Sequence, residues 1–257
     1  MSRSIPQRVF ITGAASGMGL SLARHYLQQG SAVGTCSIES LQDIAAQLPD
    51  GLDYSQADVT DAGATAAAVK AFAERVGGLD LMIANAGISM PKAALPDFAR
   101  GRAVFNVNVL GVVNAFEPAI EIMAKQGSGQ LVALGSISGI TGMPGMAFYG
   151  ASKAAVMQFC ESLAVDLKDH GIDVTVVAPG FVATPLTAKN PHKMPFMLTT
   201  EQAVARIIKA IERRRLRVVF PWPMAALAAF LYHLPRGLYV RLMRLDLTGL
   251  RKNSEHD

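Results

Sequence analysis

Thr12 to Gly19 reads TGAASGMG, with the β-branched run RVFIT (8–12) before it and SLARHYLQQ (21–29) after it. Gly13, Gly17 and Gly19 therefore stand where a first strand turns into a first helix. Glycines there permit a tight turn and let backbone N–H groups and the helix N-terminus approach a pyrophosphate, with Ser16 and Met18 in the same turn. The spacing G-x-x-x-G-x-G departs from the G-x-G-x-x-G dinucleotide fingerprint, so simple turn glycines remain an alternative on this stretch alone.

Outward from that turn, short apolar runs alternate with longer amphipathic ones. Strands are expected near 8–12, 32–36, 53–57, 79–84, 130–135, 173–178 and 217–220, and helices near 17–29, 40–48, 61–76, 100–125, 147–169 and 200–213. Strands apolar on both faces, alternating with helices, predict an α/β fold: a doubly wound parallel sheet of about seven strands, helices on both faces, in one domain. With 257 residues and 51% hydrophobic content, the chain can bury a large core and is not a disordered protein. The start, MSRSIPQRVFITG, lacks the apolar stretch of a signal peptide, and Cys36 and Cys160 make no disulfide framework. Both features point to the cytoplasm. A net charge of +4 is too slight to imply nucleic acid, although Arg213, Arg214, Arg215 and Arg217 cluster late in the chain.

Ligands of a doubly wound sheet lie beyond the carboxyl ends of the strands. The residues there are small or polar: Asp58 and Val59 after the third strand, Asn85-Ala86-Gly87 after the fourth, Ser136 and Ser138 after the fifth, and Pro179-Gly180-Phe181-Val182-Ala183-Thr184 after the sixth. Asp58 is open between capping the next helix and contacting an adenine. Tyr149 and Lys153, in YGASK, share a helix face at i and i+4, and a cation beside a phenol favours the phenolate. No His/Cys/Asp cluster has metal-ligand spacing, so no metal site is expected.

Taken together, TGAASGMG, NAG, Ser136, YGASK and PGFVAT resemble the short-chain dehydrogenase/reductase family in order and spacing, across roughly residues 6–221. The resemblance implies a Rossmann-type fold, an NAD(P) cofactor and hydride transfer between a nicotinamide and an alcohol or ketone. Tyr149 would be the general acid/base, Lys153 would lower its pKa and bind the nicotinamide ribose, and Ser136 would hold the substrate oxygen. Asn108, with Gly111 in an N-x-x-G pattern, would prop open a helix kink and hold a water near the lysine. Asn106 and Asn114 are expected to face solvent or another subunit. Gly13, Ser16, Gly17, Met18, Gly19, Ser37, Asp58, Val59, Asn85, Ala86, Gly87, Tyr149, Lys153, Pro179, Gly180, Val182 and Thr184 would line the cofactor, with Thr184 on its carboxamide. Relatives self-associate through helices matching 100–125 and 147–169, implying a homodimer or homotetramer.

The cofactor's 2′ position is read at the end of the second strand, here GTCSIESL. Ser37 stands where NAD-type relatives carry aspartate and Ile38 where many NADP-type relatives carry arginine; Ser16 also lacks the base frequent in NADP binders. With no carboxylate at Ser37 the expectation leans to NADP, while Glu39 could serve a ribose hydroxyl. A substrate lid is expected over Leu186–Thr200, and Met194, Phe196, Met197 and Leu198, with Met143 and Met146, suggest an adaptable pocket for a small lipophilic substrate. His192 is expected at the lid surface.

Residues 1–222 would form the catalytic domain and 223–257 an apolar-basic helical tail. From Val218 to Pro235 there is no Lys, Arg, Asp or Glu, and Pro221, Pro223 and Pro235 limit any helix to about a dozen residues, too short to span a bilayer. A second helix near 236–247 sets Leu238, Leu242 and Leu245 against Arg236, Arg241 and Arg244. The tail either contacts a membrane surface peripherally or packs on the substrate mouth or a second subunit. The sequence thus predicts an NAD(P)-dependent oxidoreductase acting on a lipophilic alcohol or ketone. The different-class alternative is a catalytically silent NAD(P)-binding regulator or scaffold.

Overall fold

The structure is a computed structural model describing residues 5–90, 96–188 and 194–244. Seven strands form one sheet: β1 Arg8–Thr12, β2 Ala32–Ser37, β3 Leu52–Gln56, β4 Leu81–Ala84, β5 Gly129–Leu134, β6 Ile172–Pro179 and β7 Arg217–Phe220. All are parallel, in the order β3-β2-β1-β4-β5-β6-β7. The helices between them are α1 Gly17–Gln28, α2 Leu41–Ile44, α3 Ala62–Val76, α4 Phe98–Phe105, α5 Gly111–Gln126, α6 Ala147–Asp166, α7 Pro185–Ala188 and α8 Thr200–Glu212. Two more, α9 Trp222–His233 and α10 Arg236–Arg244, follow the last strand.

Successive strand side chains point to opposite faces, so a strand covered on both sides must be apolar throughout. In β1, Phe10 enters a core layer with Phe72 of α3, Phe116 of α5 and Val156 of α6. Its neighbours Val9 and Ile11 enter the opposite layer with Leu22 of α1 and Ile207 of α8. Helix ends follow local chemistry. Asp61 caps α3 by accepting from the Ala64 amide at 2.9 Å, and Gly77, at φ +79°, closes it.

The order reverses between β1 and β4, so the loops after these two strands meet at the switch point where a crevice opens. Gly13 adopts φ +69°, and a Cβ there would lie 3.0 Å from Ala86 Cα. A Cβ on Gly19 would fall 2.5 Å from Asn85 Nδ2. Both glycines let the β1–α1 turn press against the β4 loop. Beneath it, the Thr35 hydroxyl donates to the Ile11 carbonyl at 2.6 Å and accepts from the Ala14 amide at 3.2 Å.

Two expectations change. The helix expected over 100–125 begins at Phe98 and is split by a π-helical turn, Asn106–Leu110. The helix expected over 40–48 is a short turn, α2, followed by a 3-10 turn. Two arginines of the late cluster, Arg214 and Arg217, are held by ion pairs. Arg214 pairs with Asp173 at the start of β6, and Arg217, opening β7, pairs with Glu161 at 3.1 Å, all at the sheet end away from the crevice.

Thr35→Val keeps the shape of a fully buried side chain but leaves the buried Ala14 amide without its acceptor. We expect a loss of about 1–3 kcal/mol, read as a lower urea midpoint at unchanged slope.

Candidate active site

The crevice is built from the loops after β1, β2, β4, β5 and β6. At the first, Ser16 is the N-cap of α1, yet its side chain makes no capping bond and is exposed. The helix N-terminus thus keeps its first N–H groups for another acceptor, which is the chemistry of an anion cradle. Gly17 adopts φ +56°, and its missing Cβ would lie 3.6 Å from Thr184, so the glycine turn and the loop after β6 close on the same space.

Asn85 braces this cradle. Its side-chain amide donates to the Thr12 and Gly13 carbonyls, each at 3.0 Å, while the Thr12 hydroxyl accepts from the Asn85 and Ala86 amides, each at 3.1 Å. The side chain of Asn85 is therefore spent on the protein. Asp58 does not cap α3, a role Asp61 takes; its carboxylate accepts from the Thr60 amide at 2.8 Å and it stays exposed at the rim. Buried Val59 packs where a Cβ on Gly111 would sit, and its carbonyl accepts from Asn114 at 2.8 Å. Asn114, expected to face outward, instead ties α5 to this loop. Asn106 is exposed.

Three residues converge behind the crevice. Asn108 is fully buried in the π-helical turn, accepting from the Ile88 amide at 2.8 Å and donating to the Ile88 carbonyl at 3.0 Å and the Ser152 hydroxyl at 3.1 Å. A Cβ on Gly87 would meet Asn108 Oδ1 at 3.2 Å and Lys153 Nζ at 3.4 Å. A side chain there would crowd both groups, which would have to give by a few tenths of an ångström. Lys153, 5% exposed, donates to the Leu134 carbonyl at 2.7 Å, and its Nζ lies 5.9 Å from the centre of the Tyr149 ring. Ser136, at the end of β5, accepts from the Ser138 amide at 3.2 Å, leaving its own hydroxyl proton to donate.

The electrostatics correct one expectation. Burial pushes the Lys153 ammonium down to about 8 from its usual 10.5. Burial likewise pushes the Tyr149 phenol up, with a hydrogen bond involving Ser136 acting the other way. The phenol therefore lies above its usual value rather than below it: desolvation outweighs the Ser136 hydrogen bond, and the lysine's own hydrogen bond goes to the Leu134 carbonyl.

β6 ends at Pro179, and Gly180 leads on to Val182, which is buried and bridges Leu198. The Gly180 amide donates to the Phe220 carbonyl at 2.7 Å. The Ala183 amide donates to the Leu198 carbonyl at 2.9 Å and the Leu198 amide to the Phe181 carbonyl at 3.0 Å, cinching the two ends of the expected lid. The Thr184 amide donates to Thr187 Oγ1 at 3.1 Å, where the chain enters a single helical turn, α7. Leu186, Phe196 and Met197 are exposed around it; Asn190 and His192 lie outside the described residues.

At the end of β2 the Ser37 hydroxyl donates to the Glu39 carboxylate. Tyr54 donates to the Glu39 carbonyl at 2.6 Å and Gln56 to the Ile38 carbonyl at 3.1 Å, so this loop folds back with its carboxylate over the strand end. The residue at the end of β2 expected to lack an acid therefore acquires one from two positions along. Among the described residues, no group of three or more His, Cys, Asp or Glu is placed to hold a metal ion.

A family model for short chain dehydrogenases matches residues 7–195. The chain belongs to the short-chain dehydrogenase family of oxidoreductases. This family member is 36% identical, over 89% of its length and 93% of the relative's, to an uncharacterized oxidoreductase of Myxococcus xanthus. It is 36% identical to the cis-4-hydroxycyclohexanecarboxylate dehydrogenase of Sinomonas cyclohexanicum, over 82% of this chain and 88% of that protein. A crystal structure of a short chain dehydrogenase/reductase from Burkholderia phymatum in complex with NAD shares the fold, with a TM-score of 0.78 at 22% identity over 88% of this chain and 93% of that one.

The Lys153 amine gives a pH signature. Its folded pKa, about 8, lies below the unfolded 10.5, so between these values the unfolded chain holds more protons and stability rises with pH. Tyr149, pushed up from 10.0, and the Cys36 and Cys160 thiols, pushed up to about 12 from 9.0, act oppositely at higher pH. In urea titrations, Lys153→Met should lose ground to the parent as pH rises from about 8 to 10.5.

Proposed function

We propose that this short-chain dehydrogenase moves a hydride between a nicotinamide dinucleotide and a lipophilic alcohol or ketone, with Tyr149 as general acid/base. The observation that carries the reading is a buried cation with no carboxylate partner among the described residues: Lys153, turned to a backbone carbonyl and set 5.9 Å from the Tyr149 ring. A charge so placed costs several kcal/mol that folding alone would not retain. It is the kind of perturbed group expected where chemistry needs one.

The residues fit the cofactor. Gly13, Gly17 and Gly19 leave room at an N-terminus whose cap side chain is unengaged, and Gly87 leaves room beside Lys153. The dinucleotide, when bound, supplies or accepts the hydride. Ser16, Gly17 and Met18 would face its phosphates, Thr184 and Val182 its carboxamide, and Lys153 its ribose. Ser136 would donate a hydrogen bond to the substrate oxygen as negative charge builds there. In reduction Tyr149 would release its phenolic proton to that oxygen; in oxidation its phenolate would take the proton back. The raised phenol favours the proton-donating role in the unliganded protein. Asn108 would act as a positioning residue, holding the Ile88 backbone and Ser152 beside the lysine.

The lipophilic substrate is supported by the exposed apolar rim of Leu186, Phe196 and Met197. For the cofactor, the leaning to NADP gives way to NAD. Glu39, fastened to Ser37, would accept from a ribose 2′-hydroxyl and repel a 2′-phosphate.

Tyr149→Phe should cut turnover by about 10²- to 10⁴-fold while nicotinamide binding, followed by fluorescence, persists. Retained turnover would refute the acid/base, and the absence of turnover in the parent with hydrophobic alcohols and ketones would favour a silent binding protein. Glu39→Gln should raise affinity for NADPH relative to NADH in paired titrations; an unchanged ratio would count against this carboxylate as the reader of the 2′ position.

A further inference from the structure

Past β7 the chain makes two helices that are not built like the rest of the surface. On its inner side α9 packs against the crevice: Met224 Sδ lies 2.8 Å from where a Gly180 Cβ would be, and Ala228 and Leu231 are buried. The Tyr239 hydroxyl of α10 lies 3.9 Å from the corresponding point on Gly142, in the loop between Ser136 and Tyr149. The two helices thus sit on the crevice side of the molecule.

Their outer side is apolar. Trp222, Leu227 and Phe230 are 79%, 57% and 61% exposed, and Tyr232, Leu238 and Val240 are also open to solvent. No Asp, Glu, Lys or Arg interrupts the chain from Val218 to Pro235, and the charges that follow through Arg244 are all arginine: Arg236, Arg241 and Arg244. An apolar patch of this kind on a soluble domain marks a surface that is covered by something.

We infer that α9 and α10 form an interfacial element that lies on an anionic phospholipid bilayer. Three observations select that occupant. The 12-residue α9 is about 18 Å long, short of the roughly 30 Å needed to span hydrocarbon, so it can lie in the interface but not cross it. The exposed rings are Trp222 and Tyr232 at the two ends of α9 with Phe230 beside them, which suits the headgroup boundary where one part of a side chain is dry and another wet. The charges bordering the patch are of one sign. A second copy docking through the same two helices would bring no carboxylate from the described residues for Arg236 and Arg241, whereas an anionic headgroup layer would pair with both. Among the described residues, the one helical run long and apolar enough to cross a membrane, Phe98–Gln126, instead buries Val112, Phe116 and Met123 in the core. It does not compete for this role.

The test uses full-length protein and flotation with vesicles of phosphatidylcholine alone or mixed with phosphatidylglycerol, with nicotinamide binding measured separately without lipid. The protein should float with the mixed vesicles, and Leu227→Asp/Phe230→Asp and Arg236→Glu/Arg241→Glu should each reduce flotation by roughly tenfold or more. These side chains are exposed, so both variants should keep the parent's melting temperature and nicotinamide affinity. Parent protein that stays at the bottom with mixed vesicles overturns the inference. So does equal flotation of all three proteins, or a parent that is a dimer in solution and becomes a monomer in the Leu227→Asp/Phe230→Asp variant. Loss of nicotinamide binding in the parent would strike the catalytic reading and leave the flotation result standing.

Discussion

The Lys153 ammonium is buried without a counter-ion among the described residues, and much of the crevice is arranged around that fact. Desolvation would expel the charge were it not for the Leu134 carbonyl at the end of β5. That bond fixes the amine near the loop after β4, where Gly87 lies against both it and Asn108. Asn108 can occupy so deep a position because the π-helical turn brings its amide to the Ile88 backbone and Ser152, which use both ends of the group. A polar network of this kind is stable only when its members are satisfied together.

The same logic governs the other half of the crevice. Two strands that are far apart in sequence, β1 and β4, end side by side because the sheet order reverses there. Their loops must then share space, and Asn85 joins them through Thr12 and Gly13. What remains unengaged after this bracing is the N-terminus of α1, while the Ser136 hydroxyl is set against the Tyr149 phenol. A nucleotide phosphate and a substrate oxygen would need those groups.

The tail and the lid show how a common scaffold acquires particular surfaces. Phe181, Ala183 and Leu198 are drawn together by two backbone bonds, so the described residues on either side of the segment expected to act as a lid meet at one point. Helix α9 supports the loop after β6 through Met224 while turning its remaining apolar side outward. A substrate drawn from a lipid phase would meet the apolar rim and the catalytic side of the sheet on one face of the molecule.

The sequence by itself determined the seven strands, their parallel alternation with helices and the identity of the crevice residues, because hydrophobic period and glycine placement are local properties of the chain. It located Tyr149 and Lys153 on one helix face for the same reason. Only the tertiary structure decided what those groups feel: the lysine turned to Leu134, the phenol raised by burial, Asn85 and Asn114 spent on neighbouring loops, and Arg214 and Arg217 drawn to the far end of the sheet. It also brought Glu39 onto Ser37, which no reading of position 37 alone reveals. Burial, charge pairing and hydrogen-bond partners depend on contacts between residues tens of positions apart, and these are set by packing rather than by spacing along the chain.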